Sequence, residues 1–372
     1  MKEIGFWDYS CPGHGSLERY TTDDWDRLLD DMAQGGFNSF VLCPKWVTTG
    51  YTSRLPWLDQ DPAVSAIASD NAVLHHALAG MRQRGMKVWL LVVGNNFVVE
   101  PFGYAPPGWD PTSWMGAGSY DLDQAGVGER ILELFAEIAE LFGAAADGII
   151  VELEFCDRDA PHRVPLYNKW AEANGRPPFA QIKDIALEPR GYPFFDWRDF
   201  TTQRRIEMMR DIEKVVRDRG FQGQLAALME IANGPMVVAG NMNLEMLRAQ
   251  LPGWPLVTYD SIYDRRVNRL ATMDLCIEQP HALGLEVCYL TRGVMTFTWP
   301  LEGAPPMDLN EQWRLSIEDA LRHRPERFWF MGSDARLPGA VCNNLKLPAW
   351  GYEDGRSARL ALMGMVRAMT EQ

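Results

Sequence analysis

Residues 147–155 read Asp-Gly-Ile-Ile-Val-Glu-Leu-Glu-Phe (DGIIVELEF), and this stretch decides the fold. Strand alternation sends Ile149, Val151, Leu153 and Phe155 to one face, and Ile150, Glu152 and Glu154 to the other. The first set is wholly apolar, as a strand face covered by helices must be. The second set starts apolar and ends in two carboxylates. Two acids on an interior face are costly unless paired or hydrogen-bonded. The run therefore describes a buried parallel strand whose last residues reach a polar cavity.

Similar apolar runs recur at 4–9, 37–44, 86–94, 224–231, 256–259, within 285–297, and at 327–331. Helical periodicity fills the intervals. From about Thr22, Trp25, Leu28, Leu29 and Met32 recur at i, i+3, i+4 and i+7; Thr21 with Asp24 forms a capping-box start and Gly35-Gly36 a stop. Further helices are expected over 72–85, 129–142, 202–219, 244–250, up to about His281, over 310–324, and over 357–369. About eight strand–helix units in one chain predict an α/β fold, a (β/α)8 TIM barrel, with a doubly wound open sheet as the alternative. Helix-to-strand links are short. Strand-to-helix links are long: 45–70, 95–128, 156–201, 292–309 and 332–356. The insertions thus gather at the carboxyl face, where barrel active sites lie. With no linker and no break in composition, residues 1–372 read as a single catalytic barrel domain.

Composition narrows the partners. The 372 residues are 47% hydrophobic and 23% charged, which is globular. Lys and Arg number 36 against 50 Asp and Glu, a net charge of −14. Such a chain repels phosphate backbones and anionic lipid, so neither nucleic acid nor a membrane is an expected partner. No apolar stretch approaches the ~20 residues of a membrane span, and the first residues lack a leader's apolar core. The six cysteines show no CxxC spacing and read as reduced, buried thiols, which together imply a cytoplasmic protein. There is no HExxH, no GxGxxG after a strand and no P-loop, so neither metal nor cofactor is expected. A homo-oligomer remains open.

The strand ends carry the chemistry. Glu152 and Glu154 close the fourth strand, Glu230 the fifth and Asp260 the sixth. Two nearby carboxylates raise at least one pKa, and a carboxyl kept protonated near neutrality is what a general acid needs. Glycosidic cleavage ordinarily uses such a pair, ~5–5.5 Å apart for retention or ~6.5–9.5 Å for inversion. Trp7, Asp8, Lys45, Trp46, Asn95, Asn96, Tyr259 and Trp299 fall at other strand ends and are the candidate substrate-binding residues. The 14 tryptophans, several of them (Trp109, Trp114, Trp197, Trp350) in carboxyl-face segments, suit the apolar faces of sugar rings. For any one of them, a place in the core is the competing reading.

The run 147–154 (DGIIVELE) resembles the DGxDxDxE signature of family 18 chitinase-like glycoside hydrolases. The resemblance implies that Glu154 is the general acid and that Glu152 stands where that family has an Asp orienting the substrate's acetamido group. Tyr259-Asp260 matches its strand-six Tyr–Asp pair. Ile150, Glu152 and Leu153 depart from the signature. The stretch 23–46 is similar to the early helix and strand of α-L-fucosidase-type barrels, which carry an Asp nucleophile on strand four where this chain has Glu. The expectation is a glycoside hydrolase of an oligo- or polysaccharide, retaining in the leading reading. Glu154 would be one catalytic carboxyl, Glu230 or Asp260 the other, and Glu152 a tuning group. A barrel lyase or isomerase on sugar acids or sugar phosphates, or a carbohydrate-binding barrel without catalysis, are the alternatives.

Overall fold

The computed structural model describes residues 1–11, 17, 19–46, 48–58, 71–96, 120–153, 163–178, 192–229, 242–259, 273–294, 308–334 and 351–371. Eight parallel strands close into a barrel in sequence order: β1 (Glu3–Tyr9), β2 (Ser39–Lys45), β3 (Lys87–Val93), β4 (Gly148–Glu152), β5 (Gln224–Met229), β6 (Leu256–Tyr259), β7 (Val287–Arg292) and β8 (Arg327–Met331). The open-sheet alternative is thereby excluded. Among the described residues the α-helices are α1 (Thr22–Gln34), α2 (Asn71–Gln83), α3 (Val127–Phe142), α4 (Arg163–Ala173), α5 (Tyr192–Asp218), α6 (Leu244–Gln250), α7 (Gln279–Ala282), α8 (Leu309–His323) and α9 (Gly355–Thr370), with a 3-10 turn at Gly143–Ala145 and a π-helical turn at Asp274–Glu278 leading into α7. None is long and apolar enough to cross a membrane.

The expected caps form. Thr21 and Asp24 make a reciprocal capping box on α1, and Gly36 takes the left-handed conformation just past its end. Two elements differ from the sequence expectation. Helix α4 occupies part of what reads as a loop, because only Arg163, Tyr167 and Ala171 make its buried stripe. One fully buried ring in eleven residues, with Leu166 exposed, leaves almost no periodic signal. Helix α5 begins ten residues before Thr202, and Trp197 and Phe200 of that extension pack with Tyr167 and Ala171 in a satellite cluster.

On β4, Ile149, Val151 and Leu153 join the core between barrel and helices, whereas Ile150 joins the interior cluster, as alternation requires. The pairing registers resolve that interior into layers. Moving one strand around the barrel and one residue along it keeps the height constant, so each layer draws on alternate strands. Gly5, Trp89, Ala226 and Cys288 form one layer. Val41, Ile150, Val257 and Trp329 lie above it, then Trp7, Leu91, Leu228 and Leu290. Three tryptophans fill the middle of the barrel, with Trp329 centred 5.7 Å from Trp89 and 6.2 Å from Trp7.

So much ring volume requires small neighbours. A Cβ on Gly148 would lie 2.3 Å from the Trp89 ring. Gly148→Ala is expected to lower stability by about 1–3 kcal/mol through overpacking. Urea unfolding would show this as a lower midpoint at unchanged slope; an unchanged midpoint would mean that the Trp89 ring is free to move.

The amino end of the barrel is plugged by a polar cluster. The Glu3 carboxylate accepts from Ser39 Oγ (3.0 Å), Trp89 Nε1 (2.9 Å) and Arg327 Nε (3.0 Å). Arg327 also donates to Glu286 (3.1 Å) and Gln224 (2.9 Å), and its guanidinium lies 4.9 Å from the centre of the Trp89 ring. Nearby, burial pushes the Cys288 thiol up to about 12. Cys11, Cys43, Cys276 and Cys288 are all free and buried, as the sequence suggests.

Candidate active site at the carboxyl mouth

Above the tryptophans the interior turns polar. The next layer is Cys43, Glu152, Tyr259 and Met331, followed by Tyr9, Val93 and Arg292. Glu152 is 8% exposed and lies on the interior parity of β4, one step above Ile150. Burial first, then contact with the Cys11 thiol, then the negative charge of Glu152 push the Cys43 thiol well above its ordinary value. A neutral thiol thus borders the carboxylate, while the Cys11 thiol donates to the Cys43 carbonyl at 3.1 Å.

One rim is rigid. The β2–β3 register slips between Leu42 and Lys45, at Pro44, which has no N–H to place in the ladder. The chain then folds into a tight hairpin, with Trp46 N donating to Thr48 O at 3.2 Å and Gly50 N to Pro44 O at 2.8 Å. A Cβ on Gly50 would lie 2.4 Å from the Ser10 carbonyl oxygen, so only glycine allows this approach. The hairpin holds the Trp46 indole against Tyr9, ring centres 5.2 Å apart. Trp46 and Tyr259 are half-buried, each packed on the interior cluster. The segment that follows is tied to α3, where the buried Glu137 carboxylate accepts from Tyr51 Oη (2.9 Å), Ser53 Oγ (2.6 Å) and Arg54 N (2.6 Å).

Several candidates from the sequence have structural work in this arrangement. Lys45 is fully buried, and its ammonium donates to the carbonyls of Trp46, Val93 (3.2 Å) and Asn96 (2.5 Å). Asn95 donates to the Tyr120 carbonyl at 2.9 Å and accepts from Tyr120 N at 2.7 Å. The Asp8 carboxylate accepts from Tyr9 N (2.7 Å), Ser333 N (2.8 Å) and Ser333 Oγ (2.6 Å), clamping the end of β8 to the end of β1. Trp7 is 1% exposed and sits below the mouth, in the tryptophan stack. Its place is that of a core residue; Trp89 and Trp329 donate their N–H groups to Glu3 and Ser39, and the Trp7 N–H has no acceptor among the described residues. Trp197 packs beside the Arg163 guanidinium in the satellite cluster. Asp334, another acidic strand end, accepts from Tyr20 Oη and faces Arg359 at 3.6 Å, which joins the end of β8 to α9.

Glu154, Glu230, Asp260 and Trp299 lie outside the described residues, as do Trp109, Trp114 and Trp350. Glu152, Lys45, Trp46, Asn95, Asn96 and Tyr259 cluster at the carboxyl end of the described barrel. One residue of that cluster escaped the sequence analysis. Arg292 ends β7 on the parity of Cys288 and Leu290, is 3% exposed, and enters the barrel one layer above Glu152. Its signal was the alternation Cys288, Leu290, Arg292, hidden because the strand boundary within 285–297 was undefined.

No protein-family model matches the sequence, and no curated protein does. Solved structures match the fold. The glycoside hydrolase domain of PgaB (BpsB) from Bordetella bronchiseptica is 13% identical, with 95% of this chain and 99% of that one covered at a TM-score of 0.60. The catalytic domain of the β-amylase from Paenibacillus polymyxa is 11% identical, with 88% and 92% covered at 0.56. The endo-1,4-β-D-mannanase from Thermotoga petrophila RKU-1 is 9% identical, with 99% and 100% covered at 0.56. This chain therefore shares the (β/α)8 barrel of these three proteins over almost its whole length.

Proposed function

We propose that this protein is a glycoside hydrolase acting on an oligo- or polysaccharide, with its site at the carboxyl mouth of the barrel. The observation that carries the proposal is the placement of Glu152. A buried carboxylate stands on the interior face of β4, level with the half-buried ring of Tyr259 and at a mouth that Trp46 also edges. Aromatic faces bind sugar rings, and carboxyl groups cleave the bond between them. The fold is also that of a β-amylase, an endo-mannanase and the glycoside hydrolase domain of PgaB.

Glu154 is proposed as one catalytic carboxyl, with Glu230 or Asp260 as the other. Glu152 would act through Glu154, its charge keeping the neighbouring carboxyl protonated as a general acid requires. A retaining outcome, by a glycosyl-enzyme on the second carboxylate, is the form proposed.

The test is product analysis over a panel of nitrophenyl glycosides and natural oligosaccharides, with the first-formed anomer read by proton NMR. Release of a reducing sugar of retained configuration supports the proposal; no product from any member of the panel overturns it. On a substrate found this way, Trp46→Ala should raise KM about tenfold, equivalent to about 1.4 kcal/mol of lost contact, with little change in kcat. An unchanged KM would remove Trp46 from the platform.

A further inference from the structure

We propose that Lys45 is a positioning residue of the mouth, a fixed cation at the end of β2 that keeps Glu152 ionised. The inference rests on the proposed site and deepens it. A general acid beside Glu152 is held protonated only if Glu152 itself carries its charge, yet Glu152 is 8% exposed and burial disfavours a charged carboxylate. A buried cation close by offsets that cost.

Hydrogen bonds place the cation. Lys45 Nζ donates to the Val93 carbonyl at 3.2 Å, and Val93 is the register partner of Glu152 on the adjacent strand. Paired strands lie about 4.8 Å apart. Gly94 N donates to the Glu152 carbonyl at 2.9 Å, which holds the end of β3 against the end of β4. The ammonium has two further acceptors, the carbonyls of Trp46 and Asn96 (2.5 Å). Three carbonyls match its three N–H donors, whereas a neutral amine would turn its lone pair on one of them, so Lys45 keeps its proton although it is fully buried. The Cys43 thiol beside them feels both charges. Burial first, then contact with Cys11, push that thiol up; the charge of Glu152 raises it further, and the charge of Lys45 opposes the rise. A positive and a negative charge thus act on one sulfur of β2.

Other titratable groups approach this level of the barrel from several strands. Cys43 of β2 and Tyr259 of β6 share the layer of Glu152. Tyr9 of β1, packed on Trp46, and Arg292 of β7 lie in the layer above. The Cys11 thiol donates to the Cys43 carbonyl. Asp8 is clamped to Ser333, and Asp334 faces Arg359 and Tyr20. Arg292 is a second cation at the mouth, but β7 stands three strands from β4 around the ring. Lys45 is tied to β3, the strand paired with β4.

The experiment is a carboxyl-carbon NMR titration of Glu152, assigned by its loss in Glu152→Gln, in the full chain. It needs no substrate, so it stands whether or not the protein cleaves glycosides. In the natural protein Glu152 should titrate below the ordinary value of about 4.3. Lys45→Met should raise that value by about 1–3 pH units, and Lys45→Arg should keep most of the lowering. Coupling between two charges is reciprocal, so Glu152→Gln should lower the titration of the Lys45 ammonium, assigned by its loss in Lys45→Arg, by the same amount. A Lys45 that only ties backbone carbonyls together would not give two equal shifts. If Lys45→Met fails to fold, the Lys45 titration in Glu152→Gln still decides. A Glu152 that titrates at or above the ordinary value in the natural protein, or a pair indifferent to each other's substitution, overturns the proposal. So does a Glu152 that answers to Arg292→Gln and not to Lys45→Met, since the compensating charge then comes from β7. A titration as proposed in a protein that releases no sugar would leave the Lys45–Glu152 coupling standing and sink the hydrolase reading.

Discussion

Glu154→Gln is expected to lower kcat by about 10²–10⁴-fold on a natural glycoside while leaving binding of the same sugar nearly unchanged. The amide keeps the size and one acceptor of the carboxyl but has no proton to give to a leaving oxygen. A nitrophenyl leaving group needs little protonation, so nitrophenyl glycosides should lose less in the glycosyl-transfer step than natural ones. That contrast separates a general acid from a residue that merely supports the fold, because misfolding would depress both substrates alike. Glu230→Gln should depress both. The measurement is kcat on the two substrate types, with calorimetric binding as the control. Natural activity in Glu154→Gln would remove Glu154 from the mechanism and leave Glu152 without the neighbour it is proposed to tune.

The second large effect is expected at the opposite end of the barrel. Arg327→Met should cost about 3–5 kcal/mol of stability, because it removes the cation and leaves the Glu3 carboxylate buried without it. Glu3 is 8% exposed, and Arg327 is its partner at 3.0 Å. The same substitution strips Gln224 and Glu286 of a donor and Trp89 of its guanidinium neighbour. Glu3→Gln in the Arg327→Met background should recover part of the loss, since the remaining side chain is then neutral. Urea unfolding of the two variants checks this; a loss below about 1 kcal/mol in Arg327→Met would show that water reaches the plug and solvates Glu3.

Together these expectations divide the barrel into a supporting end and a working end. The amino end is closed by mutually satisfied charges. Three tryptophans fill the middle and seal it. Above them the interior carries Glu152 and Arg292, and the rim is a rigid hairpin bearing Trp46. A site built on strand ends rather than on loops keeps its side chains in register.

Much of this was legible in the chain itself. The apolar runs and helical stripes of a parallel barrel are local patterns, set by side-chain direction along a strand or helix, and they require no knowledge of distant contacts. Hence β4 could be read to the parity of each residue, and α1 to its capping box. Helix α4 was illegible for the complementary reason: its register is imposed by Trp197 and Phe200, which reach it from another helix. Trp7 and Trp46 both end runs near the carboxyl face and look alike in sequence. The barrel distinguishes them, burying the first in its stack and holding the second half-exposed on a hairpin.

The sequence by itself determined the eightfold alternation, the inward parity of Glu152 and the face on which the insertions gather, because each follows from neighbours within a few residues. Only the tertiary structure decided which polar strand ends bind their own backbone, as Lys45, Asn95 and Asp8 do, and which face the mouth, as Glu152 and Arg292 do. That decision depends on how far each strand is staggered against the next around the closed ring. The stagger is a property of closure, and no single segment contains it.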